Sequence, residues 1–181
     1  MSAARRILGF SWPALVALAA LAAPRVVLHD LGVIEEGSFV NGLFVFVPPA
    51  CWLAAVLRKR PPRPFLTVVV IGALYGVFLA IGHQLLWGSA FGGLTPTLGG
   101  NLSRIDPATQ EGIIRTAAAV SSLVTGTLVG VVTGAVAHLL NRVMPAGQNN
   151  RTAGRNAISR VAVRRTPGVR RGGDNDGRSC V

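Results

Sequence analysis

Four long apolar runs, separated by short polar segments, dominate the hydrophobic pattern of the chain. Each run reaches the roughly 20 residues that an α-helix needs to cross a hydrocarbon core of about 30 Å. Each is also apolar around most of its circumference, which disfavours a helix lying flat on a membrane surface. The pattern therefore predicts an all-α fold, a four-helix transmembrane bundle, with spans at about 7–28, 39–57, 64–87 and 113–140.

The composition supports the membrane class. Half of the 181 residues are apolar, 14% are charged and the mean hydropathy is +0.50, whereas soluble domains carry about 25% charged residues. Residues 1–142 are predicted to form one transmembrane domain. Residues 143–181 are rich in arginine and poor in large apolar side chains, so they cannot bury a core and are predicted to be a disordered cytoplasmic tail. Two cysteines exclude a disulfide framework and a four-cysteine metal site.

The basic residues predict the orientation of the spans. Fifteen of the 18 lysines and arginines lie before the first span, between the second and third, or after the fourth. The other side of this threading holds three arginines and five of the seven acidic residues. Because basic residues beside spans stay in the cytoplasm, we expect a cell-membrane protein with both termini cytoplasmic, and the inverted threading is the alternative. Arginine outnumbers lysine 17 to 1, a coding bias that suggests a bacterial source.

The first span has an alternative interpretation as a cleaved signal peptide. Arg5 and Arg6 precede an apolar run, and Ala20-Leu21-Ala22 has the small-x-small form of a cleavage site. The apolar stretch continues past this site to Leu28, however, and is long enough to span the bilayer. We therefore expect the first span to be retained.

Small residues recur every four positions in the third and fourth spans. The third has Gly72 and Gly76, and the fourth has Gly126, Gly130 and Gly134. Helices in lipid associate where small residues allow their backbones to approach closely. We expect the third span to pack on the fourth within one chain, and a seam between copies in a homo-oligomer is the alternative.

Pro48 and Pro49 lie near the middle of the second span. Each ring removes a backbone donor, so the pair predicts a helix kink and leaves the carbonyls near Phe44 and Val45 in need of partners. A static kink is the expectation, and a transporter hinge is the alternative. Cys51, one turn later, is expected to be a buried, inert thiol.

Ionisable and amide side chains collect at the ends of the spans that face away from the cytoplasm. Because desolvating such groups is costly, we expect a polar cluster at this outer mouth, with the two arginines paired to acids. Snorkelling to the lipid headgroups is the alternative. The candidate cluster consists of Arg25, His29, Asp30, Glu35, Glu36, His83, Gln84, Glu111 and Arg115.

Other residues mark the boundaries of the spans. Asp106 followed by Pro107 is a favourable helix start, which predicts that the fourth helix begins there and emerges above the bilayer. Trp12, Trp52 and Trp87 fall near predicted span ends, where tryptophans form interfacial belts.

The sequence contains no motif for catalysis. A nucleophile elbow, a zinc-protease motif, a phosphate loop and a C-x-x-C pair are all missing, and the predicted spans contain no carboxylate that could carry a proton. We therefore expect no enzyme activity, no cofactor and no metal. The first interpretation is an accessory subunit that interacts with lipid or protein; a small oligomeric transporter or channel is second, and an intramembrane enzyme is third.

The expected partners follow from the same features. The spans contact the lipid bilayer, and the C-terminal arginines are expected to bind anionic lipid headgroups. A homo-oligomer or a membrane-protein partner remains open. No specific nucleic acid is expected, because no aromatic residue is interleaved with the arginines for base stacking.

Overall fold

The computed structural model describes residues 3–94 and 96–143. These residues form helices and turns, with no strand among them. The predicted C-terminal tail lies outside the described residues, apart from Val143, which ends the last helix. The α-helices are α1 (Ala3–Leu8), α2 (Trp12–Ala20), α3 (Ala23–Asp30), α4 (Phe39–Lys59), α5 (Pro64–Leu85), α6 (Trp87–Ala90) and α7 (Pro107–Val143), and a 3-10 helix covers Gly100–Arg104.

Four segments are long and apolar enough to cross a membrane. They are α2 together with α3 (Trp12–Asp30), then α4, α5 and α7. Large apolar side chains cover their outer surfaces; Phe39 and Phe46 of α4, for example, are 86% and 73% exposed. Such a surface is suited to lipid and not to water. The prediction of an all-α chain with four membrane-spanning helices is confirmed.

The first span differs most from its prediction, because it begins later and is broken. The chain leaves helical geometry at Gly9, whose φ of +71° is accessible mainly to glycine, and α2 starts only at Trp12. A second break separates α2 from α3 at residues 21–22, and Pro24 lies in the first turn of α3. Proline lacks the N–H that would continue the hydrogen-bond ladder, so the break falls where the ring cannot support a continuous helix.

Trp52 compensates for the break between α2 and α3. The N–H of Ala22 bonds to Ala19 at 3.2 Å, which leaves the carbonyl of Leu18 without its helical partner. The indole Nε1 of Trp52 donates to that carbonyl at 2.7 Å, and the ring is fully buried. Trp52 is therefore a core residue and not the interfacial belt residue predicted from its position.

Helix α5 lies at the centre of the bundle and packs most extensively on α7. The glycines of the two helices make this contact within one chain. A methyl group at Gly72 would lie 2.5 Å from Gly126 O and from the Cα of Gly130, and one at Gly134 would lie 2.9 Å from Phe65 O. The two antiparallel helices therefore touch through their backbones. No side chain larger than that of glycine fits between them at these positions.

The charged residues divide between two ends of the bundle. The first, called here the basic end, carries Arg5, Arg6, Arg58, Lys59, Arg60, Arg63 and Arg142. The other, called the acidic end, carries Asp30, Glu35, Glu36, Asp106 and Glu111 together with Arg25, Arg104 and Arg115. At the basic end, buried Thr67 fixes α1 to α5, because its Oγ1 lies 3.0 Å from the carbonyl oxygen of Leu8.

The predicted cap of the fourth helix is confirmed. Helix α7 begins at Pro107, and Asp106 Oδ2 accepts from the N–H of Thr109 at 3.1 Å. The helix therefore starts six residues before the predicted span. Helix α4 continues from Phe39 to Lys59 with Pro48 and Pro49 in its interior.

Substituting Gly126 by alanine should destabilise the bundle. The added methyl group would meet the backbone of Gly76, which cannot rotate away, so we expect a loss of about 1–3 kcal/mol of stability. Gly112→Ala is the matched control on the same helix, because nothing lies within 4 Å of its added methyl group. The midpoint of thermal denaturation in mild detergent measures the stability of each variant. Equal midpoints for the two variants would contradict the close contact between α5 and α7.

Candidate functional site

Asp30 is a buried carboxylate at the end of α3, where it contacts two histidines. Its side chain is 3% exposed, Oδ2 lies 2.7 Å from His83 Nδ1, and Oδ1 lies 3.4 Å from His29 Nδ1. Because a carboxylate can only accept, Nδ1 of His83 carries the proton in the shorter contact. The pair joins α3 to α5.

This position corrects the sequence analysis, which placed Asp30 in a loop and no acid in a span. The first span extends through Asp30, so the bundle does hold a carboxylate at its acidic end. Helix α3 continues this far because Asp30 finds partners on α3 and α5. A buried charge with such partners avoids the full cost of desolvation.

Arg25 lies one turn before His29 and makes a different set of contacts from those predicted. Its Nε donates to Asn41 Oδ1 of α4 at 2.9 Å, and its guanidinium also interacts with the Tyr75 hydroxyl of α5. In the part of the chain that the structure describes, no carboxylate forms an ion pair with Arg25. The expected pairing of Arg25 with an acid is therefore replaced by contacts with two neutral groups.

Arg115 and Gln84 join α7 to α5. Arg115 Nε donates to Glu111 Oε1 at 2.8 Å, and Gln84 Nε2 donates to the carbonyl of Arg115 at 3.0 Å. The guanidinium also lies 4.7 Å from the ring centre of Trp87, a distance typical of a cation–π contact. Arg115 is thus paired with an acid on its own helix.

The two remaining acids of the candidate cluster are at the surface. Glu36 Oε1 lies 3.4 Å from His29 Nε2, while its own side chain is 82% exposed. Glu35 is exposed in the turn before α4. The nine candidate residues therefore separate into a group on Asp30, a group on Arg115, Arg25 with its neutral partners, and solvent-exposed Glu35.

Arg25 lines three neighbouring cavities. The largest, called here the main cavity, has a volume of about 420 Å³ and lies between α3, α5, α6 and α7. A second, the proline cavity, measures about 240 Å³ and reaches Pro49 and Trp52. A third, of about 160 Å³, lies beside Val26 and Glu36. Arg25 is the residue that lines all three cavities.

The lining of the main cavity combines polar and apolar side chains. Its polar groups are Arg25, His29, Asp30, His83, Ser121, Ser122 and Thr125. Its apolar groups are Leu79, Trp87, Ala90, Phe91 and Ala118. The volume falls within the range of about 300–1,000 Å³ that small-molecule sites occupy.

Ser122 of the main cavity is bonded within its own helix. Its Oγ donates to the carbonyl of Ala118 at 2.8 Å. Among the described residues, no three His, Cys, Asp or Glu side chains are grouped closely enough to hold a metal ion. The arrangement can bind and orient a ligand through a cation and hydroxyl groups.

The sequence analysis missed Asn41 and Tyr75, the partners of Arg25. Each carried a detectable signal, because Asn41 is a lone amide near the start of an apolar run and Tyr75 is the one tyrosine of the chain. Both are buried in the structure. Cys51, expected to be buried, is exposed on the outer face of α4.

Removing the Asp30 carboxylate should destabilise the acidic end. Asp30→Ala leaves His83 without its charge-assisted partner, and we expect a loss of about 1.5–3 kcal/mol, the range for hydrogen bonds to charged groups. Glu35→Ala, which removes an exposed acid at the same end, should have almost no effect. Thermal denaturation in detergent compares them; an unchanged midpoint for Asp30→Ala would show that the pair contributes nothing.

No protein family, curated protein or solved structure matches this chain. The function must therefore be inferred from the geometry of its own residues.

Proposed function

We propose that the chain is a non-enzymatic integral membrane protein that acts as an accessory subunit, interacting with lipids or with another membrane protein. The observation that carries this proposal is the pairing of reactive groups at the acidic end. Asp30 pairs with His83 between α3 and α5, and Arg115 pairs with Glu111 along α7. The Asp30–His83 contact stabilises the packing of α3 on α5, which is the role of a scaffold.

The outer surface of the bundle supports an interaction role. Helix α4 exposes Phe39, Leu43 and Phe46, which follow one another at helical spacing and form one apolar stripe. Acyl chains or the helix of a partner subunit could cover such a stripe equally well. After Arg142, eight further arginines of the chain would strengthen attachment to anionic headgroups.

The charge distribution supports a cell-membrane protein with its basic end in the cytoplasm. Arg5, Arg6 and Arg58 are exposed at this end, whereas the described acids lie at the other. Basic residues beside spans resist translocation, so this asymmetry sets the orientation. Both termini would then be cytoplasmic.

Transport of a small solute is the second candidate, and the cavities favour it. The main cavity and the proline cavity both contact Arg25 and Thr125, and together they extend from the acidic end to Trp52. Beyond Trp52 the interior is filled by side chains that are fully buried, among them Val56 and Ile71. A transporter would have to open this packed half, and Pro48 and Pro49 in α4 are the place where a hinge could lie.

The test of the proposed function is purification of the full chain in mild detergent, followed by mass spectrometry of co-eluting proteins and lipids. We expect a protein or a lipid to be retained reproducibly, and to be lost when Phe39 and Phe46 are changed together to alanine. Val132→Ala, on exposed α7, is the control for a general loss of apolar surface. A chain that elutes alone, or with a small solute, would contradict the accessory role.

The orientation has its own test, based on cysteine labelling in intact cells. In a background with Cys51→Ala and Cys180→Ala, we expect Glu35→Cys to react with a membrane-impermeant maleimide, because it is exposed at the acidic end. Arg58→Cys, exposed at the basic end, should react only after the membrane is permeabilised. The opposite labelling pattern would show the inverted threading.

A further inference from the structure

Arg25 forms no ion pair with a carboxylate of the described residues. Its described partners are the Asn41 amide and the Tyr75 hydroxyl, both of which are uncharged. Asp30, the acid nearest along the chain, is directed to His83 and His29 instead, and its side chain is almost fully buried. Arg25 thus lines the main cavity without an ion-pair partner, although Asp30 lines the same cavity.

A cation without an ion-pair partner among membrane-spanning helices is costly, and an anion is its natural partner. Guanidinium has five N–H donors; Asn41 accepts from one of them, and the Tyr75 hydroxyl interacts with the same group. The remaining donors can form the parallel pair of hydrogen bonds that a carboxylate or phosphate group accepts. Ser121 and Thr125 add hydroxyl groups to the same cavity.

The rest of the main cavity indicates the size and polarity of the ligand. Its volume of about 420 Å³ is more than ten times the roughly 30 Å³ of one water molecule, so a simple inorganic ion would leave most of it unfilled. Leu79, Trp87 and Phe91 form an apolar wall, with the Trp87 and Phe91 rings 4.9 Å apart. A ligand that suits both Arg25 and this apolar wall has an anionic head and an apolar body.

We propose that the main cavity binds an amphiphilic anion, with its carboxylate or phosphate head on Arg25 and its apolar part against Trp87 and Phe91. This inference rests on the proposed function, because it specifies the lipid-like partner that the accessory protein would hold. Arg25 is the binding residue that sets the charge preference. Asn41 is a positioning residue, because its Oδ1 accepts from Nε and so restrains the guanidinium.

Tryptophan fluorescence can test the inference, since Trp87 lines the main cavity and Trp52 lines the proline cavity. The full chain with Trp12→Phe, which removes the exposed background signal, is titrated in a neutral detergent with three brominated quenchers. Bromododecanoate has the anionic head and the chain, bromododecanol has the chain alone, and bromoacetate has the head alone. We expect bromododecanoate to quench at a concentration about tenfold lower than either of the others, as a charged hydrogen-bond pair would give.

Variants of Arg25 decide whether the preference arises at this residue. Arg25→Gln should raise the half-quenching concentration of bromododecanoate about tenfold, to that of bromododecanol, whereas Arg25→Lys should retain part of the preference. Arg104→Gln, which removes an exposed arginine at the same end, should leave the titration unchanged. Size-exclusion profiles verify folding, and if Arg25→Gln does not fold, Arg25→Lys and the three-quencher comparison on the parent chain still decide the matter.

Three results would overturn the inference. Equal quenching by bromododecanoate and bromododecanol would exclude recognition of the charge, and equal quenching by bromoacetate would exclude an amphiphile. A preference that survives in folded Arg25→Gln would place the anion elsewhere. Because this titration uses the purified chain alone, it can fail while a protein partner still co-purifies, and it can succeed when none does.

Discussion

The direct contact between the backbones of α5 and α7 constrains everything else in the bundle. With glycine on both sides, the two helices meet at a separation that no other residue permits, and their register is fixed by Gly72 against Gly126 and Gly130. Within a bilayer this close packing replaces the hydrophobic effect as the source of association. The same register brings Gln84 of α5 to Arg115 of α7.

A second constraint is that backbone groups released by breaks in the first span need partners inside the bundle. Trp52 supplies one to Leu18, and the Thr67 hydroxyl lies within hydrogen-bond distance of the Leu8 carbonyl as well as of the Arg63 carbonyl. In lipid an unsatisfied carbonyl costs several kcal/mol, so a break is tolerated only where another helix provides a donor. The breaks in the first span are therefore connected with the burial of Trp52 and Thr67, which lie next to the released carbonyls.

The sequence was sufficient for properties that depend on the chain locally. Apolar length located α4 and α5 to within two residues, and the Asp106-Pro107 pair located the start of α7. The sequence was insufficient where a residue distant in the chain determines whether a position is helical or buried. Asp30 remains helical because His83 lies opposite, and Trp52 is buried because Leu18 lacks a donor.

In the candidate site, too, local properties were predictable from the sequence and contacts between helices were not. Its residues were recognisable as polar groups at span ends, but their partners were not, because a pairing across helices has no signature in linear spacing. Arg25 binds Asn41, an amide 16 positions away on a different helix, while the nearby acids bind elsewhere. The exposed position of Cys51 likewise depends on how α4 is rotated about its axis, which apolar composition on every face leaves open.

The length of α7 has a mechanical consequence. Its 37 residues make a rod of about 56 Å, whereas the 22 residues of α5 make about 33 Å, close to the hydrocarbon thickness. Gly134 rests on Phe65 and Arg115 on Gln84, so roughly two turns of the rod overhang its neighbour at each end. Because the glycine contact prevents α7 from tilting independently, α5 dictates the bilayer thickness that suits the protein. The overhanging turns extend α7 beyond both ends of α5.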